Sequence, residues 1–496
     1  MRDRLKHLTK GVAIYGAGDA AVQVVNFFLL PVYVRFAFLT TADFGAIALI
    51  GAIEAFSKVI NKWGLDGAFM RYYGDRDGRS RQIMASTIVW FMVAANGALL
   101  AITLISSARL ARLMSLDTTY LPALRLMLVN ITVMAFTFVP FHVMRLRHEA
   151  TQFSLFTFGR SLGTVGLRVL FVIGLRYGVM GIYLSDLLLT AVLLPLMWPR
   201  CRGLVTAVFS TGELRKVLRF GLPRLPHGLA SQTLDGYPKL LLGKSVSADM
   251  VGVYQNGATL GTGVSFFKNA FETAFAPFYY ATAREEGAKE VFAKMATYGV
   301  AVFVLLVAGT TAVARDVILL VLKPDYLAAL PVVPMIACAF AIQGVYQLTS
   351  IGLNLTSRTE FYPVSTIAAA AISIVLGLWL IPAHGLIGAA MTVLASYATQ
   401  ATVAFVLSQR VYPIRYEVGR LARVVIAGVI AAMVPLWLIP AMPPAVGLLA
   451  RGATTVVVYA GLLWVSGFLR RSERAFLREL LGRLRRRPAR AVSDAE

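Results

Sequence analysis

Charged and amide side chains set inside long apolar stretches are the residues of this sequence placed to do chemistry. Between Gly11 and Phe36, Asp19, Gln23 and Asn26 recur at i, i+4 and i+7, one stripe of a helix. A carboxylate in hydrocarbon costs about 2.5 kcal/mol or more, so the stripe is expected to face other helices or a wet cavity. Later apolar stretches carry the bases Lys58, Lys62, Arg125, Arg160, Arg168, Arg224, Lys239, Lys268 and Arg451, and Arg35 closes the first. The acids among them are Glu54, Asp186, Asp235 and Glu272, with Asp66 near a span end.

Pairing must be weighed before function. Glu54 and Lys58, Asp235 and Lys239, and Lys268 and Glu272 each stand at i, i+4 on one helix. Arg168 and Asp186 fall at similar depth in consecutive spans, and Asp19 is expected to meet Lys62. Arg35, Arg125 and Arg451 lie near enough to span ends to snorkel into headgroups. Arg160, midway through the fifth span, and Arg224, one to two turns into the seventh, are left without an obvious acid.

Polar stripes concentrate in spans one, two, seven and eight. The seventh carries Arg224, His227, Ser231, Gln232 and Asp235, and the eighth carries Gln255, Thr259, Thr262, Asn269 and Glu272. Hydrogen bonding between helices accounts for single polar residues. The concentration instead suggests one central cavity in which bases outnumber acids. Such a wall suits an anion, and phosphate is a common anionic handle on a membrane substrate. The expected contacts for pyrophosphate and sugar are Arg160, Arg224, Lys58, Lys62, Lys239, Lys268, Gln23 and Asn26. Asp19, Glu54, Asp235 and Glu272 are the expected coupling or counter-ion carboxylates.

The elements that hold these residues follow from composition. Of 496 residues, 58% are hydrophobic and only 15% charged, with a mean hydropathy of +0.70. No soluble core could hide so much apolar surface, so the expected class is all-α and polytopic, with about fourteen transmembrane helices, the second expected over 43–69, the seventh over 218–242 and the eighth over 250–277. The basic start leads into a span without a small-residue cleavage site, so the first span is expected to stay. Two cysteines in separate stretches and five scattered histidines give no disulfide framework and no metal site. No cofactor is expected beyond H⁺ or Na⁺ coupling.

The net charge of +23 is topological. Lysines and arginines crowd into alternate connections (70–82, 145–149, 199–219, 280–294, 353–361 and 409–423) and both tails. The positive-inside rule then puts both termini in the cytoplasm, and nucleic acid is excluded as a partner. The outward connections are too short for a catalytic domain.

An internal repeat runs at an offset near 207. Thr41-Ala42-Asp43-Phe44-Gly45 is echoed by Ser247-Ala248-Asp249-Met250-Val251-Gly252, and Gly178-Val179-Met180-Gly181 by Gly385-Leu386-Ile387-Gly388. The expected organisation is an N-lobe over 1–198, a basic cytoplasmic linker over 199–217, and a C-lobe over 218–408. A hairpin over 424–468 and a basic tail over 469–496 complete it. Parallel repeats of six spans are a transporter plan, with the substrate path between them. The tail, with leucines on one face and arginines around it, suits anionic inner-leaflet lipids.

Several of these stretches resemble a known family. The opening Lys10-Gly11…Tyr15-Gly16 through Phe27-Phe28-Leu29-Leu30-Pro31-Val32-Tyr33, then Leu39-Thr40-Thr41-Ala42-Asp43-Phe44-Gly45, carries the resemblance. So do Gly64-Leu65-Asp66-Gly67-Ala68-Phe69-Met70-Arg71-Tyr72-Tyr73 and Leu380-Ile381-Pro382…Gly385-Leu386-Ile387-Gly388-Ala389-Ala390. They are similar to the polysaccharide-transport branch of the multidrug/oligosaccharidyl-lipid/polysaccharide exporter superfamily. The resemblance implies a transporter rather than an enzyme. Its implied task is flipping undecaprenyl-pyrophosphate-linked oligosaccharide units of O-antigen or exopolysaccharide (lipopolysaccharide biosynthesis) across the bacterial inner membrane by alternating access. Other polysaccharide assembly proteins are the implied partners. Two readings stand beside it: a cation-coupled multidrug antiporter of the same superfamily, and a polyprenyl-dependent membrane glycosyltransferase or polymerase. The antiporter would prefer acids in its cavity. The enzyme would need a larger outward loop.

Overall fold

The computed structural model describes residues 32–34, 38–74, 76–147 and 149–470. Asp19, Gln23, Asn26 and Arg35 lie outside them, as does the tail beyond 470. Every regular element among the described residues is helical. In chain order the longer helices are α1 (Thr41–Lys62), α2 (Leu65–Tyr73), α3 (Gly78–Ile105), α4 (Leu121–Ala135), α5 (Phe138–Leu146), α6 (Ala150–Arg168) and α7 (Gly178–Met197). There follow α8 (Thr211–Gly221), α9 (Leu225–Ser245), α10 (Ala248–Gly261), α11 (Gly263–Thr282), α12 (Ala288–Val321), α13 (Val332–Thr349), α14 (Phe361–Val411), α15 (Val418–Leu438) and α16 (Pro444–Val465). Nine helical segments among the described residues are long and apolar enough to cross a membrane.

One of the nine, α14, is two helices in a hairpin. Gly385 turns the chain at φ 54°, ψ −123°. Gln400 Nε2 then donates to Thr366 Oγ1 at 3.1 Å, and a methyl placed on Gly388 would overlap the Leu380 carbonyl. Only a residue without a Cβ allows so close a return.

Three expected spans are broken where hydropathy shows nothing. The span expected over 43–69 ends at Lys62, because Trp63 and Gly64 both adopt left-handed conformations. Asn96 holds that break: it accepts from Trp63 Nε1 at 2.8 Å and donates to the Asn61 carbonyl at 3.0 Å. The span expected over 218–242 is replaced by the separate amphipathic helix α8, a short 3-10 turn over Leu222–Arg224, and α9. The span expected over 250–277 is interrupted at Thr262, whose hydroxyl donates to the Thr259 carbonyl at 2.7 Å, and resumes as α11.

Connections gather at two opposite ends. At one, Arg200 pairs with Glu149 at 3.2 Å, and Gln82 Nε2 donates to the Gly203 carbonyl at 2.6 Å, joining three basic connections. At the other, Tyr120 donates to Asp43 at 3.0 Å and Thr41 donates to Asp249 at 2.8 Å. Burial, with Asp325, Asp43 and Asp249 nearby, pushes the Tyr326 hydroxyl at that end up to about 12. Three of the basic connections read from sequence, 70–82, 145–149 and 199–219, are therefore joined at one end.

The hairpin α15–α16 is bolted to α12. Arg451 Nη1 reaches both oxygens of Asp316, at 2.7 and 2.6 Å, and Nη2 donates to the carbonyls of Ile439 and Pro440. The snorkelling expected of Arg451 is thus corrected: it is 5% exposed and its partner 2%. At the other end of α12, Thr297 donates to Glu417, which also pairs with Arg420 at 2.8 Å and with Arg470.

Candidate functional site

The seam between α1 and α9 is the centre of the arrangement. Glycines along α8 and α9 at 221, 228, 236 and 243 face α1, which descends as α9 rises. Gly243 meets Leu49, Gly236 meets Phe56, Gly228 meets Val59, and Gly221 meets the Trp63 carbonyl. A side chain in place of hydrogen would meet each neighbour at 2.8–3.1 Å, so these small residues let two helices touch along their length. Spans two and seven, two of the four expected to line one central cavity, therefore touch each other along α1 and α9; most of the first span lies outside the described residues.

The two ends of the seam are also shut. At the end opposite the basic connections the echoed motifs meet each other: a methyl on Gly45 would overlap the Ala248 carbonyl, and one on Gly252 the Thr41 carbonyl. Each motif starts its helix through a cap, Thr40 with Asp43 for α1 and Ser247 with the Met250 amide for α10. At the basic end, Gly64 and Gly221 press backbone on backbone.

The in-span charges divide to either side of this seam. Glu54 is two residues from both Ala52 and Phe56, which face α9, so it lies roughly 160° around the helix and points away from the seam. There Lys58 Nζ lies 2.6 Å from Glu54, and Arg168 Nη2 2.9 Å from Asp186. Arg160 joins the group electrostatically through Asp186 and Glu54. Its Nη2 donates to Met134 Sδ at 2.9 Å, and no carboxylate among the described residues pairs with it. The cluster Glu54, Lys58, Arg160, Arg168 and Asp186 therefore holds three positive and two negative side chains.

Beyond the seam, Lys239 lies 3.0 Å from Asp235 on α9, and Lys268 4.0 Å from Glu272 on α11. Both carboxylates remain open, Asp235 at 48% and Glu272 at 50% side-chain exposure. Tyr279, which accepts from Asn354 at 3.2 Å, ends a ladder of rings along α11 through Phe267, Phe271 and Phe275.

Two expected site residues sit elsewhere. Arg224 is not inside a span: it is exposed, in the turn before α9, with its guanidinium 5.5 Å from the Phe220 ring and pressed on Gly67. Lys62 lies 3.7 Å from Asp66, at the end of α1. Its expected partner Asp19 lies outside the described residues, with Gln23 and Asn26. The i, i+4 pairs were readable because one helix fixes them. The division of charge by the seam was not, although glycines spaced seven, eight and seven apart signalled a close helix contact.

The chain matches the family model described as polysaccharide biosynthesis protein over residues 32–331. No curated protein matches it by sequence. In fold it is similar to the lipid II flippase MurJ in an inward closed conformation, with a TM-score of 0.71 at 10% identity, covering 95% of this chain and 100% of that one. It is similar too to an inward-facing multidrug resistance MATE family transporter of the MOP superfamily: TM-score 0.58, 14% identity, 82% of this chain and 98% of that one. An outward-facing conformation of such a transporter gives 0.57 at 16% identity, over 84% and 96%. At these identities the likeness is one of fold.

Proposed function

We propose, for a chain that belongs to the polysaccharide biosynthesis protein family, that it flips an undecaprenyl-pyrophosphate-linked oligosaccharide across the bacterial inner membrane by alternating access. The observation that carries this reading is Arg160, a cation at bilayer depth with no acid paired to it among the described residues. An anionic substrate supplies what the protein withholds. Guanidinium and ammonium groups hold phosphate through charge-assisted hydrogen bonds, and Arg does so in a fixed fork. Arg160 is the first ligand for pyrophosphate, with Lys58 and Arg168 beside it. Arg224 and Lys62 attract the same charge at the basic, cytoplasmic end, while Gln23 and Asn26 hydrogen-bond the sugars.

The paired lysines across the seam act conditionally. Asp235 and Glu272 are open enough to take up a proton or Na⁺, and either event frees Lys239 or Lys268 from its carboxylate. Glu54 frees Lys58 in the same way, and Asp19 balances charge in the first span. Coupling thus reaches the substrate through lysine release. The outer contact of Thr41, Gly45, Asp249 and Gly252 opens as the basic contact of Gly64 and Gly221 closes, and the reverse. Both termini lie in the cytoplasm, and the N- and C-halves rock as bodies about the seam. On this reading the chain is a transporter with no chemical step; its partners are the lipid-linked substrate, anionic inner-leaflet lipids and the polysaccharide assembly machinery.

Arg160→Gln, inserted at normal levels, is expected to lower surface polysaccharide export at least about tenfold, with partial recovery in Arg160→Lys. Full-rate export by Arg160→Gln would overturn the reading. The likeness to MATE transporters supports the runner-up, a cation-coupled drug antiporter. Efflux of a cationic drug that survives Arg160→Gln and fails in Asp235→Asn would favour that antiporter.

A further inference from the structure

A cleft of about 470 Å³ opens at the basic end, lined by Tyr72, Gly212, Arg215, Lys216, Arg219 and Phe220. Its cations come from α8. That helix turns Val217, Leu218 and Leu214 onto the core under α2 and α3, so its apolar face is used by the protein and not by the bilayer. Arg215, Lys216 and Arg219 are left exposed on the opposite face. The one acid of α8, Glu213, is taken by Arg76 at 2.7 Å, and no acidic side chain among the described residues pairs with the three. Tyr72 organises the floor: Lys216 Nζ lies 5.2 Å and Arg76 Cζ 5.7 Å from its ring centre, and the Phe220 ring 5.6 Å away. Arg224, 5.5 Å from the centre of the Phe220 ring, ends the turn that leads into α9, so the cleft sits at the foot of the seam.

We propose that this cleft is a docking site for the phosphate and first sugar of a glycosyl phosphate, reached before the substrate enters the span. Three unpaired cations within little more than one turn match a phosphate, and two aromatic rings beside them offer the flat apolar faces on which a sugar packs. The volume lies in the range of small-ligand sites, roughly 300–1,000 Å³, larger than a bare phosphate needs. The identity of the ligand rests on the transport reading; the site itself does not.

Calorimetry on the full-length protein in phosphatidylcholine nanodiscs tests it, with inorganic pyrophosphate and glucose 1-phosphate as probes. Both are expected to bind, more weakly as salt rises. Lys216→Gln with Arg219→Gln, both exposed positions, is expected to weaken both probes about tenfold or more. Arg202→Gln, an exposed cation of the same connection outside the cleft, is expected to change neither. Tyr72→Leu is expected to weaken glucose 1-phosphate while sparing pyrophosphate, which also shows the variant folded. Equal affinity in the double variant overturns the site. So does loss of probe binding to the native protein when phosphatidylglycerol replaces phosphatidylcholine, since a lipid headgroup is then the occupant. Export in a strain lacking the chain is scored separately. Probe binding that needs Lys216 and Arg219, with export unaffected by the deletion, sinks the transport reading and leaves the cleft standing; blocked export without probe binding does the reverse.

Discussion

The Asp316–Arg451 pair gives the sharpest energetic prediction. Both partners are buried, the guanidinium makes four hydrogen bonds within 3.3 Å, and Gly447 packs so closely that a methyl there would come within 2.6 Å of the carboxylate. Removing one member of such a pair strands the other, at about 3–5 kcal/mol. The two single changes should differ. Arg451→Met leaves a carboxylate that can take up a proton, so its cost falls near about 3 kcal/mol. Asp316→Asn leaves a guanidinium that cannot shed its charge, so its cost falls at the upper end. The double variant Asp316→Asn, Arg451→Met has no stranded charge and should recover most of the loss. Reversible unfolding in mixed detergent and SDS micelles, followed by circular dichroism, yields the double-mutant cycle. A coupling energy of about 2 kcal/mol or more is expected. Singles that add with a coupling under about 0.5 kcal/mol would refute the claim that this pair anchors the hairpin.

Other consequences follow from the seam. Gly45→Val and Gly252→Val each drive a side chain into a backbone carbonyl of the facing helix, which cannot swing aside. The outer end should part, seen as faster thiol labelling of a Thr41→Cys reporter from outside, with slower export; unchanged labelling would show that the contact is not a gate. Thr41 and Asp249 touch across that end at 2.8 Å. Cysteines at both positions, joined through disulfides by a short bis-methanethiosulfonate, should stop export, and reduction of those disulfides should restore it. Export that continues with the link intact would rule out opening at this place.

Helical class and the segregation of basic connections were legible because both are averages over many residues. Hydropathy sums side chains over a window, and charge bias sums over whole connections. The pairs Glu54–Lys58, Asp235–Lys239 and Lys268–Glu272 were legible for another reason: helical geometry fixes neighbours four residues apart. Arg451 and Asp316 are 135 residues apart, and Asp316 falls near the end of α12, a helix of 34 residues that runs past the apolar window. The breaks at Gly64 and Thr262 were hidden too, since backbone conformation scarcely alters hydropathy. Arg224 was misplaced for that reason, because α8 and α9 read as one continuous span. A tally of bases against acids described the membrane interior poorly: among the described residues six of the in-span cations found acids, and Arg160, midway through its span, did not.

The lipid extract of a strain lacking this chain tests the central claim most directly. Flipping predicts that an oligosaccharide on undecaprenyl pyrophosphate accumulates, shielded in intact spheroplasts from a periodate-type oxidant that cannot cross the membrane. Re-expression of the native chain, and not of Arg160→Gln, should clear it. Ordinary lipid levels together with a full complement of surface polysaccharide would contradict the account.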